Sequence, residues 1–310
     1  MSSQESSRVR SGMLRFWGVR GSVPTPGPST IRYGGNTSCV EVRLGDEVII
    51  LDAGTGIRLL GDALVRESAG TNLEVSLLIS HSHWDHIQGL PFFAPAYQVG
   101  NGVRIYGCEG ARQGLHWILS RQMEQPHFPI PMREMVSEIT ITELKEAEFS
   151  LGQIHVASLA LNHPGGSTGY RLSYDGQSVV YLPDNEPASY GLLGSPDAPA
   201  ATESGDLNRE IIEFIRGADV AVMDAQYDAL EYRDHVGWGH GCVDDVVRIA
   251  VAGKVQRLFL FHHDPDHDDD RVDQMVLRAR ELVQALGSDL VVDAAKEGLT
   301  VPVALRLAEC

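Results

Sequence analysis

The sequence predicts a layered α/β fold, and three observations carry that expectation. Short apolar runs of strand length alternate with stretches of helical periodicity along the chain. Several of the strand-like runs end in a histidine or an aspartate, namely Asp52, His81, His163, Asp184, Asp224 and His262. Side chains at the ends of several strands meet on one edge of a layered fold, so these groups can share a site despite their separation in sequence. Finally, 310 residues with 43% hydrophobic and 22% charged side chains suffice for a sizeable core.

The polar, Ser-rich residues 1–12 read as a disordered leader, and residues 13–310 as one domain. Residues 14–17 form a first strand. Residues 39–44 and 47–51 make a hairpin across Gly45-Asp46. The second of these strands runs into Asp52-Ala53-Gly54-Thr55-Gly56, and a helix follows over 57–66. That glycine-rich turn lacks the spacing of a phosphate-binding loop, so we expect it to place Asp52 as a hydrogen-bond partner of a ligating imidazole. Residues 72–80 are a buried strand, 103–106 another, 112–123 a helix, and 125–132, with three prolines, a loop. Strands are expected at 138–142 and 154–161, followed by a hairpin of 170–173 and 178–182 across Asp175-Gly176. Residues 187–205, rich in Pro, Ala, Gly and Ser, are the expected mobile loop. Helices follow over 207–216, 243–251 and 269–286, interleaved with strands at 219–223 and 257–261. Residues 290–292 and 299–305 close the sheet.

A formal charge of −17 argues against a general nucleic-acid or anionic-membrane binder, because either needs a basic face. A small phosphate drawn to a local cationic centre remains compatible with it. Cys39, Cys108, Cys242 and Cys310 are scattered without a CxxC pair, which favours reduced thiols in a cytoplasmic protein. The start of the chain lacks the apolar core of a signal peptide, and no apolar run reaches membrane-spanning length.

The chemistry concentrates in His81-Ser82-His83-Trp84-Asp85-His86, which leaves the end of a strand. Imidazole and carboxylate together are borderline ligands that suit Zn²⁺, with Mn²⁺ or Fe as alternatives. A dinuclear centre needs more donors than this stretch holds, and the other strand ends supply them.

With these residues in view, the chain resembles the metallo-β-lactamase fold superfamily. Its HxHxDH signature matches residues 81–86 in full, and its later His, bridging Asp and final His match His163, Asp184 and His262. The resemblance implies a four-layer αββα sandwich. It implies one metal on His81, His83 and His163, a second on Asp85, His86 and His262, and Asp184 bridging both. His263 is the neighbour that would replace His262 if the strand ended one residue later.

Within the superfamily the likeness is to the phosphodiesterase branch, which includes tRNA 3′-processing endonuclease and PhnP-type cyclic phosphodiesterases. Gly34-Gly35-Asn36-Thr37-Ser38, Asn162-His163-Pro164-Gly165-Gly166 and Gly239-His240-Gly241-Cys242 carry it. The last resembles that branch's GHST or GHMT segment, whose His assists phosphoryl chemistry, although Gly241 and Cys242 depart from the usual pair. The basic Gly/Pro-rich arm usual in the tRNA enzyme, between the third His and the bridging Asp, is missing: only 21 positions separate His163 from Asp184. The resemblance therefore implies a small phosphodiester (cyclic nucleotide, cyclic ribose phosphate or short oligonucleotide) as substrate. It also allows for a homodimer, since dimers are common in the similar family.

The expected reaction is hydrolysis by a hydroxide bridging two cations, with Asp85 holding its metal and orienting the nucleophile. His240 would stabilise a phosphoryl oxygen or protonate the leaving alkoxide, and amides of residues 165–168 would help hold the phosphate. A lactone or thioester hydrolase using the same centre is the alternative, and a non-catalytic binding module of the same fold a second. His116, His127, His155 and His235 read as structural or surface residues, and His267 as part of an acidic helix start. Tyr97, Tyr106 and Trp117 are read as core packing rather than as flanks for a nucleobase.

Overall fold

The computed structural model describes residues 12–108, 114–144, 147–188 and 201–304. The first sheet contains β1 (Met13–Gly18), β2 (Cys39–Leu44), β3 (Glu47–Leu51), β4 (Glu74–Ile79), β5 (Gly102–Cys108), β6 (Glu138–Leu144) and β14 (Thr300–Pro302), in the order β14-β1-β2-β3-β4-β5-β6. The second contains β7 (Glu148–Leu151), β8 (Ile154–Leu161), β9 (Ser167–Tyr174), β10 (Gln177–Leu182), β11 (Val220–Asp224), β12 (Arg257–Phe261) and β13 (Val291–Ala294), paired consecutively from β13 to β7. The helices are α1 (Ile57–Ser68), the single turn α2 (Trp84–Ile87), α3 (Leu115–Arg121), α4 (Ala201–Phe214), α5 (Val243–Ala252) and α6 (Asp269–Ala285).

Burial explains the layering. Leu14, Phe16, Val42 and Leu51 of the first sheet interlock with Val156, Leu172, Val222 and Phe261 of the second in one apolar cluster. On the outer face of the first sheet, Leu60 and Leu64 of α1 and Leu119 of α3 cover Ile50, Leu77 and Ile105. On the outer face of the second, Ile211, Val247 and Val276 from α4, α5 and α6 cover Val180, Ala221 and Leu258. Each fully buried Leu, Ile, Val or Phe among them contributes about 1.5–3 kcal/mol. The architecture is the αββα sandwich that the resemblance implied. The β9–β10 hairpin turns through Asp175 and Gly176, both at positive φ (47° and 71°), as a type I′ turn requires.

Parallel pairing sets the position of the site. Leu51 of β3 lies beside Leu78 of β4. Leu182 of β10 lies beside Met223 of β11, and Asp224 beside Phe261 of β12. The residues that follow these strands therefore emerge side by side on one edge.

Several expectations need correction. The helix expected over 112–123 is confined to Leu115–Arg121 and begins after Gly114; positions 112 and 113 lie outside the described residues. Of the loop expected over 187–205, residues 189–200 lie outside the described residues, whereas 201–205 belong to α4, whose first residues include the good helix formers Ala201 and Glu203. Residues 1–11 of the expected leader also lie outside, but Gly12 is tied down, its amide donating to Gln177 Oε1 at 2.9 Å. Residues 291–294 and 300–302 close two different sheets rather than one. Strand β7 has no counterpart in the expectations. Tyr97 and Tyr106 do pack against apolar clusters, but Trp117 remains 45% exposed. Among the described residues, no helix is long and apolar enough to cross a membrane.

Candidate metal centre

The strand ends turn sharply into the site. Asp52, Asp184 and His262, which follow β3, β10 and β12, all have positive φ (61°, 30° and 62°). For a residue with a Cβ this region costs about 1–3 kcal/mol, and such strain is kept where surrounding structure holds a side chain in one direction. Gly21 makes room for one of them, since a Cβ there would lie 2.5 Å from the His262 ring. After β4 the chain makes the one-turn helix α2, with His83 at its N-cap and Asp85 and His86 buried within it.

Two groups of candidate donors meet at Asp184, and a third, of Asp224, His240 and His262, adjoins the second through His262. His81, His83, His163 and Asp184 form the first. His163 Nε2 lies 3.0 Å from His83 Nδ1 and 3.6 Å from Asp184 Oδ2, and His81 Nε2 lies 3.5 Å from that same oxygen. Asp85, His86, Asp184 and His262 form the second. Here Asp184 Oδ1 lies 3.0 Å from His86 Nε2 and 3.1 Å from His262 Nε2, while Asp85 Oδ2 lies 3.2 and 3.1 Å from the same two nitrogens. Each oxygen of Asp184 thus faces a different group. His262 stands in the centre, and His263 does not: its Nε2–H donates to Ala295 O at 2.9 Å, and burial pushes its pKa down to about 3.

Hydrogen bonds around the groups fix which nitrogen faces inward. His86 Nδ1 lies 2.7 Å from Asp52 Oδ2, an acceptor only, so Nδ1 carries a proton and Nε2 faces two carboxylates. His163 donates Nδ1–H to Gly239 O at 2.9 Å, and His262 donates Nδ1–H to Gln226 Oε1 at 3.0 Å. Lone pairs set against carboxylate oxygens at 3 Å repel unless a proton or a cation lies between them. Consistent with this, His81 Nε2, His86 Nε2 and Asp184 Oδ1 are buried with no hydrogen-bond partner. The mixed imidazole and carboxylate set suits Zn²⁺, Mn²⁺ or Fe, so the residues present fit a pair of divalent cations.

A supporting layer surrounds the donors. Asp52 Oδ2 also accepts from Ser80 Oγ at 2.8 Å and from Tyr181 OH at 2.8 Å, and Asp52 Oδ1 accepts the Ser80 amide at 2.7 Å. Ser80 Oγ lies 3.1 Å from His81 Nδ1, so Asp52 orients two imidazoles, one directly and one through Ser80. Asp224 does the same for His240, whose Nδ1 is 2.8 Å from Asp224 Oδ2. The His240 ring stacks on His262 at 5.0 Å and meets His163 edge-on at 5.2 Å, so His240 abuts both groups. Its hydrogen-bonded setting is supplied by Asp224, whatever the departures at Gly241 and Cys242.

Sequence reasoning missed Glu186, Gln226 and Tyr181. Buried Glu186 accepts the amides of Gly237 and Gly239, each at 2.8 Å, and so holds the segment that supplies both the acceptor for His163 and His240 itself. Gln226 is braced by its Nε2–H bond to Asp264 Oδ2 at 2.7 Å. None has a local signature; each is one polar residue in an ordinary context. The phosphate cradle expected near Gly165 loses two amides, because Gly166 N donates to His163 O and Thr168 N to Ser80 O. Of the remaining histidines, His116, His127 and His155 are exposed, and His235 stacks on Tyr227 at 4.4 Å. His267 sits before α6 and pairs with Glu231 at 3.0 Å.

The two groups differ in charge. Burial holds His81, His83 and His163 below the ordinary imidazole range, and they are neutral at pH 7. Burial also opposes charging of His86 and His262, but Asp184 and Asp85 outweigh it, raising His86 well above 6.5 and His262 to about 9. Asp184 and Asp85 are held well below the usual carboxylate range, since the facing imidazoles overcome the penalty of burial. A raised folded-state pKa stabilises the metal-free protein fully below 6.5, and that contribution is lost as pH rises through about 9. An ion entering the second group must displace these protons. Its apparent affinity should therefore rise with pH across that window, while the first group responds weakly. Calorimetric titration in buffers of different ionisation enthalpy measures this; equal proton release at both steps would contradict it.

Comparison with known proteins agrees with the fold. Residues 48–263 match the model of the beta-lactamase superfamily domain. The chain is 24% identical to a ribonuclease Z of Thermoplasma acidophilum over 290 residues, covering 83% of this chain and 88% of that protein. In structure it is similar to the metallo-beta-lactamase fold protein YhfI of Bacillus subtilis (TM-score 0.64, 18% identity, 94% and 99% of the two chains). It is likewise similar to a diphosphatase from the PhnP family (TM-score 0.61, 18% identity, 94% and 97%).

Proposed function

This chain belongs to the beta-lactamase superfamily, and from that premise we propose that it is a metal-dependent phosphodiesterase acting on a small phosphodiester. The observation that carries the reading is the Asp224–His240 pair set against a cluster of seven convergent metal donors. Two divalent cations held by His81, His83 and His163, and by Asp85, His86 and His262, with Asp184 between them, would lower the pKa of a water and neutralise charge on phosphate oxygens. The protein's own groups do the rest. Asp85 is fixed by the Ser22 amide, which donates to its Oδ2 at 2.8 Å, so it presents its carboxylate in one direction. His240, with Nδ1–H on Asp224, keeps Nε2 for the role of proton donor to a leaving alkoxide. His83 is the exposed member of the first group, so a substrate reaches the centre from its side.

The test is hydrolysis of bis(p-nitrophenyl) phosphate by metal-free and by Zn²⁺- or Mn²⁺-reconstituted protein, beside Asp85→Ala. Turnover should need the metal and disappear in the variant; protein that binds no metal would overturn the reading. His240→Ala should cost about 10²-fold or more on a diester with an alkoxide leaving group. The cost should be smaller with p-nitrophenolate, which departs without a proton. Equal losses would remove His240 from the role of acid. Full activity of that variant on a lactone or thioester, with none on diesters, would favour the carbonyl reading.

A second reading, in which the diester lies within an RNA, draws on the ribonuclease Z relative. The charge of −17 stands against a large RNA surface. Cleavage of a folded RNA in preference to a dinucleotide would decide for it.

A further inference from the structure

Three segments of the centre, those carrying His163, Asp184 and His240, are tied together by one carboxylate that belongs to none of the donor groups. Glu186 stands two residues after Asp184 and is only 6% exposed. Its Oε1 accepts from the Tyr232 hydroxyl at 2.7 Å and from the Gly237 amide at 2.8 Å, and Oε2 accepts the Gly239 amide at 2.8 Å. The backbone of Glu186 is bonded to Asn162, the residue before His163. Its amide donates to Asn162 O at 2.9 Å, and Asn162 Nδ2 donates to Glu186 O at 2.8 Å. The ends of β8 and β10 and the segment 232–240 therefore meet at this residue.

Gly239 is the point at which this clasp reaches the chemistry. Its carbonyl accepts Nδ1–H of His163 at 2.9 Å, and the next residue is His240, held by Asp224 at 2.8 Å. The fit leaves no slack, since a Cβ at Gly239 would lie 2.4 Å from His163 Nδ1 and 2.3 Å from Pro164 Cδ. Its φ of 87° is also one that glycine alone adopts at no steric cost. Gly239 thus has its N–H on Glu186 and its C=O on the His163 ring, so a shift at one end turns that imidazole and moves the backbone of His240. We propose that Glu186 is a positioning residue shared by the metal centre and the acid: through Gly239 it aims His163 at the first ion and His240 at the leaving group. It touches neither ion nor substrate. The His240 half rests on the phosphodiesterase reading, and the His163 half rests on the metal centre alone.

The experiment compares Glu186→Gln with Tyr232→Phe in the full chain. In Glu186→Gln the amide oxygen can serve Tyr232 and Gly237 in place of Oε1, which leaves an NH₂ facing the Gly239 N–H, so the loss falls on Gly239. Tyr232→Phe removes a bond to the same carboxylate and leaves that of Gly239 in place, so it reports what loosening costs by itself. Calorimetric titration with Zn²⁺ should show the first group, the step that releases few protons, weakened about tenfold in Glu186→Gln. The second group, and both groups in Tyr232→Phe, should stay close to wild type. Turnover of reconstituted Glu186→Gln should fall about 10- to 100-fold on a diester with an alkoxide leaving group, and less on bis(p-nitrophenyl) phosphate. If Glu186→Gln does not fold, Glu186→Asp, which draws the carboxylate back by one methylene, reads the same affinity. An unchanged first ion, or equal changes in Glu186→Gln and Tyr232→Phe, would overturn the proposal, because a merely structural role moves the urea midpoint alike in both. A weakened first ion in a protein that hydrolyses no diester would keep the His163 half and reject the phosphodiesterase. Diester hydrolysis with unchanged metal affinity and leaving-group ratio in Glu186→Gln would do the reverse.

Discussion

Asp184→Ala should lose at least about 10³-fold in phosphodiester turnover and fall from two bound ions per chain to one at most. The expectation follows from the division of its two oxygens. Oδ1 lies 3.0–3.1 Å from His86 and His262, and Oδ2 lies 3.5–3.6 Å from His81 and His163. Among the described residues, no other carboxylate reaches both groups, since Asp85 serves only the second. Asp184→Asn keeps one oxygen and points amide hydrogens at imidazole lone pairs, so it should hold one ion and be nearly as inactive. Metal content by elemental analysis beside turnover checks both. Two ions with undiminished turnover in Asp184→Ala would remove this residue from the centre.

The largest loss of stability is expected from Asp52→Ala. That carboxylate accepts from the His86 imidazole, the Ser80 amide and hydroxyl and the Tyr181 phenol, all buried. Its removal leaves those donors unpaired in a low-dielectric interior, at about 1–3 kcal/mol for each one that finds no other partner. Breaking such a buried charged network costs about 3–5 kcal/mol in all. Alanine also takes the φ of 61° less readily than Asp or Asn. Asp52→Asn, which tolerates that backbone and keeps an acceptor, should therefore recover part of the loss. Urea unfolding of the metal-free proteins measures the stability. A metal titration should show affinity weakened about 10- to 100-fold, because His86 and His81 lose their fixed orientation. An Asp52→Ala protein as stable as the parent would show that these bonds merely replace equivalent ones to water.

The predicted elements were placed by patterns that act locally. Alternation and apolar runs located β2, β3, β8, β10 and β12, and helical periodicity located α1, α5 and α6, because each buries one face against a neighbouring layer. α3 was expected too long because Gly114 offers no helical propensity, and β7 was missed because Glu148–Leu151 is too short for alternation to register.

The metal donors were legible for a related reason. Residues 81–86 place three imidazoles and a carboxylate at one strand end and stood out by themselves, whereas His163, Asp184 and His262 were assigned as candidate donors through the family resemblance. Their partners were not legible in either way. Tyr181 reaches Asp52 across 129 positions, Gly239 reaches His163 across 76, and Gln226 reaches His262 across 36. A lone Tyr, Gly or Gln says nothing of what it will touch. Even the choice of His262 over His263 followed from where β12 ends and which side of the chain the positive φ turns inward.

By itself, then, the sequence determined the layered α/β class, the acidic charge and the histidine-rich strand end at residues 81–86, because these depend on composition and short-range period; the wider set of candidate donors came from the family resemblance. Only the tertiary structure decided the distances at which the candidate donors meet Asp184, the hydrogen bonds that orient their imidazoles, and the pairing of His240 with Asp224. Those features are set by contacts between strands far apart in the chain, and a hydrogen bond has no direction until both of its partners have a place.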